Sequence, residues 1–182
     1  MNVYLQKNCF KLVIIISLIG LFFILGVFYF DAHQKITRDQ KRLQDIRDIQ
    51  IAIDKYYEKH GNYPDAGQDA CCDRWDIGFC KKDGNDGFLS VLVKEGFLDQ
   101  DRGDPLFFGH CQGYFYHHYN CNNNSPYYPC YGCDKPFYVL AIRKLETEKV
   151  RWTNRAISPT GFKCPTRDWG QEFDYVVGKF EE

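Results

Sequence analysis

The fold is decided by residues 12–64, which read LVIIISLIGLFFILGVFYFDAHQKITRDQKRLQDIRDIQIAIDKYYEKHGNYP. The 19 residues from Leu12 to Phe30 carry no charge, and a helix of ~20 apolar residues crosses the core of a bilayer. No Gly or Pro interrupts residues 27–60. We therefore expect one helix that begins in a membrane and continues beyond it for several turns.

The part of this helix beyond the apolar run carries an amphipathic pattern. Apolar residues recur there at spacings of three, four or seven, at Ile36, Leu43, Ile46, Ile49, Ile53, Tyr56 and Tyr57. Gly61 suits a left-handed C-terminal cap, and Pro64 prevents the helix from resuming. This part is predicted to cover whatever domain follows it.

Length and charge limit what that domain can be. The 182 residues leave room for one compact domain after the helix. The 23 basic and 24 acidic residues nearly cancel, so no net field attracts nucleic acid. We predict a short cytoplasmic N-terminus (residues 1–11), a transmembrane segment (12–30), an amphipathic stem helix (31–62) and an extracytoplasmic head (63–182).

Cysteines indicate the compartment of the head. An even number in a short domain beyond a membrane segment is typical of a disulfide framework in an oxidising space, and eight cysteines allow 105 connectivities, so the pairing stays open. Cys9 lies on the other side of the apolar run. The head cysteines are Cys71, Cys72, Cys80, Cys111, Cys121, Cys130, Cys133 and Cys164.

The orientation follows from these cysteines more than from the basic residues. Lys7 and Lys11 favour a cytoplasmic N-terminus, but Lys35 and Arg38 follow closely behind the apolar run, so charge alone is indecisive. An exported head places the C-terminal part in the periplasm or extracellular space. A cleaved secretory signal is the rival interpretation; the run exceeds the usual apolar length of a signal, and residues 29–32 lack small-x-small cleavage residues.

The head pattern predicts one short helix and a sheet. Residues 65–87 are rich in loop residues. Residues 88–98 have apolar positions at 88, 89, 92 and 93, followed by Gly96 where a helix would end, which predicts a short helix packed on the stem. Strands are predicted over 114–119, over 137–143 continuing toward Leu145, and over 173–180, with a hairpin from the second strand into 150–152. The fold class is therefore α+β: a long N-terminal helix packed on a small, disulfide-rich antiparallel sheet.

Four motifs in this order resemble the type IV pilin superfamily, especially the major pseudopilins of type II secretion systems in bacteria. Residues 45–57 (DIRDIQIAIDKYY) resemble the family's stem helix, and Gly61-Asn62-Tyr63-Pro64 is similar to the motif that closes it. Asp104-Pro105 resembles the opening of the sheet region, and 137–141 with Leu145-Glu146 resembles the central strand. The resemblance implies a membrane-anchored subunit that acts by assembly with itself or with other pilin-like subunits.

Two positions depart from the family pattern. Members carry Gly before the first Phe of the apolar helix, where prepilin peptidase cuts, and Glu at the fifth position of the mature helix, where it pairs with a neighbouring subunit. Here Cys9 precedes Phe10, and Ile14 stands in place of the Glu. The family's processing and assembly positions are therefore degenerate in this chain.

Candidate metal and redox residues are weighed against plainer interpretations. Cys130-Tyr131-Gly132-Cys133 has the CxxC spacing of redox and zinc sites. Turn residues surround it, which does not suit a redox motif, and no second CxxC completes a zinc site with His110, Cys111, His117 or His118. A structural disulfide is therefore favoured. A second candidate is a calcium-binding loop at Asp83, Asn85 and Asp86. Their spacing does not match the EF-hand pattern, so a plain turn is favoured.

No motif of catalysis is present. The chain lacks the Gly-x-Ser-x-Gly, His-Glu-x-x-His and phosphate-binding glycine patterns. We expect no enzyme activity, no cofactor and no small-molecule substrate. Two alternatives stay open: a monomeric, membrane-anchored module that binds a ligand or partner, and an envelope thiol oxidoreductase that uses Cys130 and Cys133.

Overall fold

A computed structural model describes most of the elements that the sequence predicts. The described residues are 3–66, 72, 75–78, 87–100, 102–106, 113–121, 135–148 and 169–182, with side chains described from residue 10 onward. The chain divides into two compact units, Met1–Thr37 and Arg38–Glu182. The second unit, which we call the head unit, includes the C-terminal part of the long helix.

The long helix, α1, runs over Val3–His60. It ends where the sequence predicts, because Gly61 adopts φ +73° and its N–H donates to the carbonyl oxygen of Tyr57 over 2.8 Å. A glycine accepts this left-handed conformation without steric cost. Tyr63 then turns into the core, where it is fully buried.

Three antiparallel strands form the sheet, in the order β1-β2-β3. They are β1 (Tyr114–Tyr119), β2 (Phe137–Ile142) and β3 (Tyr175–Phe180). Tyr114 pairs with Ile142, which in turn pairs with Tyr175. The α+β class, with a long N-terminal apolar helix and a small antiparallel sheet, is confirmed.

One face of the sheet is covered by helices. The head-unit part of α1 and the short helix α2 (Phe88–Lys94) bury their apolar residues against it. Gly96 follows α2 with φ +76°, so the predicted short helix and its glycine terminator are both present. This first core contains Leu43, Ile46, Ile49, Ala52, Ile53, Tyr63, Phe88, Leu89, Leu92, Tyr114, Tyr116, Tyr138, Leu140 and Ile142, among others.

The opposite face of the sheet is also buried, which the sequence did not lead us to expect. All six residues of β2 are buried, because side chains that alternate along a strand meet a packed layer on each face. The second layer comes from Cys72, Trp75 and Ile77 and from a short helix, α3 (Trp169–Glu172), that was not predicted. This second core contains Cys72, Trp75, Ile77, Phe115, Tyr119, Phe137, Val139, Ala141, Trp169, Phe173 and Val176.

The predicted hairpin runs from β2 into residues 150–152, which lie outside the described residues. Over 137–142, β1 and β3 pair along the two sides of β2. The strand also stops at Ile142 rather than continuing toward Leu145. There the Asp174 N–H donates to the carbonyl of Ile142, and the Asp174 carboxylate accepts from the Leu145 N–H over 2.8 Å.

Candidate functional site

The most exposed apolar surface of the described chain is the N-terminal part of α1. Every large apolar side chain from Phe10 to Phe30 is exposed, Ile14 least at 43 % and Tyr29 most at 74 %. Such side chains are normally buried in a soluble domain. The described part of the chain thus contains one helix that is long and apolar enough to cross a membrane.

One face of this segment carries its smaller side chains. Positions that alternate by four and three residues lie on one side of a helix, as in a packed helix pair. In this segment they are Val13, Ser17, Gly20, Ile24 and Val27, which we call the small face. A Cβ atom added at Gly20 would meet nothing within 4 Å, so this face is open in the single chain.

The residues of the degenerate processing motif lie at the start of this surface. Phe10 and Ile14 are both exposed on α1, and Cys9 belongs to the same helix with its side chain outside the description. Ile14 offers no carboxylate to a neighbouring chain. Any association through this helix would therefore rest on shape and apolar contact rather than on that charge.

A second feature is a buried set of charges in the head unit, which we call the arginine clasp: Arg38, Asp39, Arg42, Asp104 and Glu146. Arg42 is 3 % exposed. Its Nε and Nη2 donate to Asp104 over 2.7 and 2.9 Å, and its Nη1 donates to Asp39 and Glu146 over 2.7 and 2.6 Å. Arg38 donates to both carboxylate oxygens of Glu146, over 2.9 and 2.6 Å.

Asp39 completes the clasp from the helix side. Its carboxylate is fully buried and accepts the backbone N–H groups of Glu146 and Thr147, each over 2.9 Å, and the Thr147 hydroxyl over 3.2 Å. A buried carboxylate without such donors would be strongly destabilising. The clasp therefore joins one turn of α1 to the segment that follows β2.

The charges of the clasp shift the proton affinities of its members. Hydrogen bonds from Arg38 and then Arg42 lower the pKa of Glu146 from 4.5 to about 2, against the effect of its partial burial. Burial opposes the charged form of Arg42, but the carboxylates of Asp104, Glu146 and Asp39 outweigh it and raise the pKa of Arg42. Both groups are therefore charged across the physiological range.

A neighbouring contact extends this polar region into the sheet. The hydroxyl of Tyr114 donates to Asp45 over 2.5 Å, and Lys41 donates to the same carboxylate. Burial, followed by this hydrogen bond, raises the pKa of Tyr114. The tyrosine therefore stays protonated and acts as a hydrogen-bond donor at the first residue of β1.

Comparisons with protein-family models, curated proteins and solved structures give no match. The resemblance to pilins therefore depends on the quoted residues themselves. Three of those residues have structural roles in the head. Tyr63 lies in the first core, while Asp104 and Glu146 both bind Arg42. Asp104 and Glu146, which belong to two different motifs, thus meet at one arginine of α1.

Most of the other predicted site residues fall outside the described residues. Cys130 with Cys133, and Asp83 with Asn85 and Asp86, are among them, so the disulfide, redox and calcium interpretations stay predictions. Two head cysteines are described, Cys72 and Cys121, and both are disulfide-bonded. Within the described ranges no group of three His, Cys, Asp or Glu side chains is arranged to hold a metal ion.

The two adjacent histidines of β1 point to opposite faces of the sheet, as their positions predict. His117 packs beside Trp75 in the second core. His118 lies edge-on to Tyr63, with Asp65 and Glu181 at 3.5 and 3.2 Å from its ring nitrogens. Both rings are partly buried.

Sequence reasoning missed the clasp, although a signal for it exists. Asp39 and Arg42 lie seven residues before the core residues Ile46 and Ile49. Seven residues are two helical turns, so the charged pair occupies the buried side of α1. Charges at the core positions of an amphipathic helix indicate a buried ion pair, and the complementary acids can only be found from the fold.

Proposed function

We propose that this protein is a membrane-anchored, pilin-like structural subunit that acts by assembly, in a type II secretion or type IV pilus-like envelope system. One observation carries the proposal: α1 exposes apolar side chains on every side from Phe10 to Phe30, while its C-terminal part is buried in a folded head. A helix that is apolar all round requires lipid or other helices around it.

The small face supports association between copies within the membrane. Helices pack closely in lipid where small and β-branched residues let the backbones approach, because lipid itself supplies no hydrophobic driving force. Val13, Ser17, Gly20, Ile24 and Val27 meet this requirement, and the aromatic residues from Phe22 to Phe30 lie at other positions. A repeated, non-closing contact of this kind would generate a filament.

The proposed orientation places the N-terminus in the cytoplasm and the head in the periplasm or extracellular space. The disulfide bonds of Cys72 and Cys121 are consistent with an oxidising compartment. A disulfide-rich head, single-pass topology and the absence of catalysis, metal and nucleic-acid partners belong to the same proposal. The function then depends on what the subunit contacts rather than on a reaction.

A second candidate is a monomeric module that the same helix displays on a membrane. Ile14 favours it, because the carboxylate that joins neighbouring pilins has no counterpart here. The head would then bind its ligand or partner alone. The two candidates differ in whether copies of α1 touch one another.

Disulfide crosslinking in native membranes separates the candidates. Cysteine pairs with the same spacing are introduced at Val13 and Ile24 on the small face, and at Ile15 and Gly26 off it, in a Cys9→Ser background. Assembly through the small face predicts ladders of subunits for the first pair and none for the second. Monomers with both pairs would favour the display module, and a protein that stays in the soluble fraction would disprove both.

A further inference from the structure

The head unit begins with a turn of α1 that is attached by charge. The unit starts at Arg38, but apolar burial on α1 starts only at Leu43 among the described residues. Between them, the side chains with contacts to the rest of the head are Arg38, Asp39 and Arg42. This turn and the apolar part that follows are therefore held by different kinds of interaction.

The two kinds of interaction respond separately to perturbation. The first core holds its part of α1 by apolar contacts, since the side chains of Ile46, Ile49 and Ile53 are fully buried there. The clasp, in contrast, retains partial exposure at Arg38 and Glu146, whose side chains are 20 and 19 % exposed. Local opening in proteins begins where few apolar contacts must be broken.

We propose that residues 38–42 form a conformational device, a clasp that opens without unfolding the first core. When it is closed, α1 joins the head at Arg38; when it is open, α1 joins it at Leu43. The five released residues span about 7.5 Å as a helix at 1.5 Å per residue, and without the clasp they are free to unwind. The clasp thus gives the head a second attachment length while the sheet and the core remain intact.

Glu146 is the residue on which this opening depends most. It alone accepts hydrogen bonds from both arginines of the clasp, which lie one turn apart on α1. Its backbone N–H also binds Asp39. Removing its charge therefore weakens the contacts that both arginines make with the segment after β2, and it leaves the backbone contact with Asp39 unchanged.

Limited digestion of the full-length protein with trypsin tests the proposal, because trypsin cleaves after Lys and Arg. Lys35 reports on the first unit, Arg38, Lys41 and Arg42 report on the clasp, and Lys55 reports on the first core. The masses of the released head fragments separate these sites. The variants are Glu146→Gln and Arg38→Gln, with Glu95→Gln as the control, since Glu95 pairs with Lys59 of α1 outside the clasp.

The expected result is a selective rise in cleavage. Glu146→Gln and Arg38→Gln should speed cleavage after Lys41 and Arg42 by at least about tenfold, which corresponds to ~1.4 kcal/mol of easier opening. Cleavage after Lys55 should stay unchanged, and Glu95→Gln should resemble the wild type. Unchanged cleavage at the clasp would overturn the proposal. A parallel rise at Lys55 would also overturn it, because the clasp and core would then open as one unit.

Discussion

Arg42 donates from Nε and Nη2 to the two carboxylate oxygens of Asp104, so a residue of α1 and a residue of the segment before β1 form a two-pronged contact, 62 positions apart in sequence. Planar guanidinium and carboxylate groups match in this geometry, which a lysine cannot reproduce. The contact fixes α1 to the segment before β1. Substitutions at this contact should therefore change the stability of the head.

Replacing Arg42 with Met should destabilise the head by about 3–5 kcal/mol, because Asp39, Asp104 and Glu146 would keep buried negative charge without their shared cation. Chemical denaturation of the detergent-solubilised protein measures the effect. Arg47→Met is the matched control: Arg47 lies on the exposed side of the same helix and donates to Gln44. That control should change stability by no more than about 0.5 kcal/mol.

Acid should lower the free energy of unfolding of the head, because the Glu146 carboxylate becomes protonated. Its pKa is lowered to about 2 in the fold from an ordinary 4.5. The contribution of this carboxylate to stability is therefore complete above pH ~4.5 and is lost as the pH falls through about 2, with a limit of about 3 kcal/mol before solvent screening is considered. Denaturation midpoints of the wild type and Glu146→Gln should differ at pH 6 and converge near pH 2. A constant difference across this range would contradict the assignment.

Replacing Asp76 with Ala should cost about 2–4 kcal/mol. This buried carboxylate accepts the backbone N–H of Gly78 over 2.7 Å and that of Phe88, the first residue of α2, over 2.8 Å. Both donors would lose their partner inside the protein. The same denaturation experiment applies, with Asp99→Ala as the control, since that carboxylate is 75 % exposed. Equal effects of the two substitutions would contradict the role assigned to Asp76.

Gly20→Leu should reduce crosslinking between copies through the small face, because a leucine side chain would hold two backbones apart. Gly26→Leu should leave it intact, since Gly26 lies off this face. Both positions are open in the single chain, so neither substitution should disturb the folded head. Crosslinked ladders from the cysteine pair at Val13 and Ile24 measure the effect. Equal loss with both glycine variants would argue against this face.

The sequence predicted well where a local pattern decides the structure. The apolar run, the seven-residue recurrence of Ile46 and Ile53, and Gly61 together indicate α1 and its end. The aromatic and β-branched runs at 114–119 and 137–142 match β1 and β2 closely. In each case the deciding residues are near neighbours in the chain, so periodicity and turn chemistry contain the information.

The sequence failed where the deciding contacts are distant in the chain. Trp75 and Trp169 meet in the second core with ring centroids 5.7 Å apart, although 94 positions separate them. Asp76 pairs with Tyr116 through two backbone hydrogen bonds and so attaches a segment that reads as a loop to β1. Neither partner carries a local pattern that indicates the other, because loop closure and packing determine the pairing.

The position of Asp76 also has a practical use. Its carboxylate holds Gly78 and Phe88 together, and a Cβ atom added at Gly87 would lie only 3.1 Å from the Cα of Gly78. The residues on either side of 79–86 are thus fixed close together, and the cost of lengthening a closed loop grows slowly with its length. An epitope or fluorescent tag inserted between Asp83 and Gly84 would label the head while leaving α1 and the sheet unchanged.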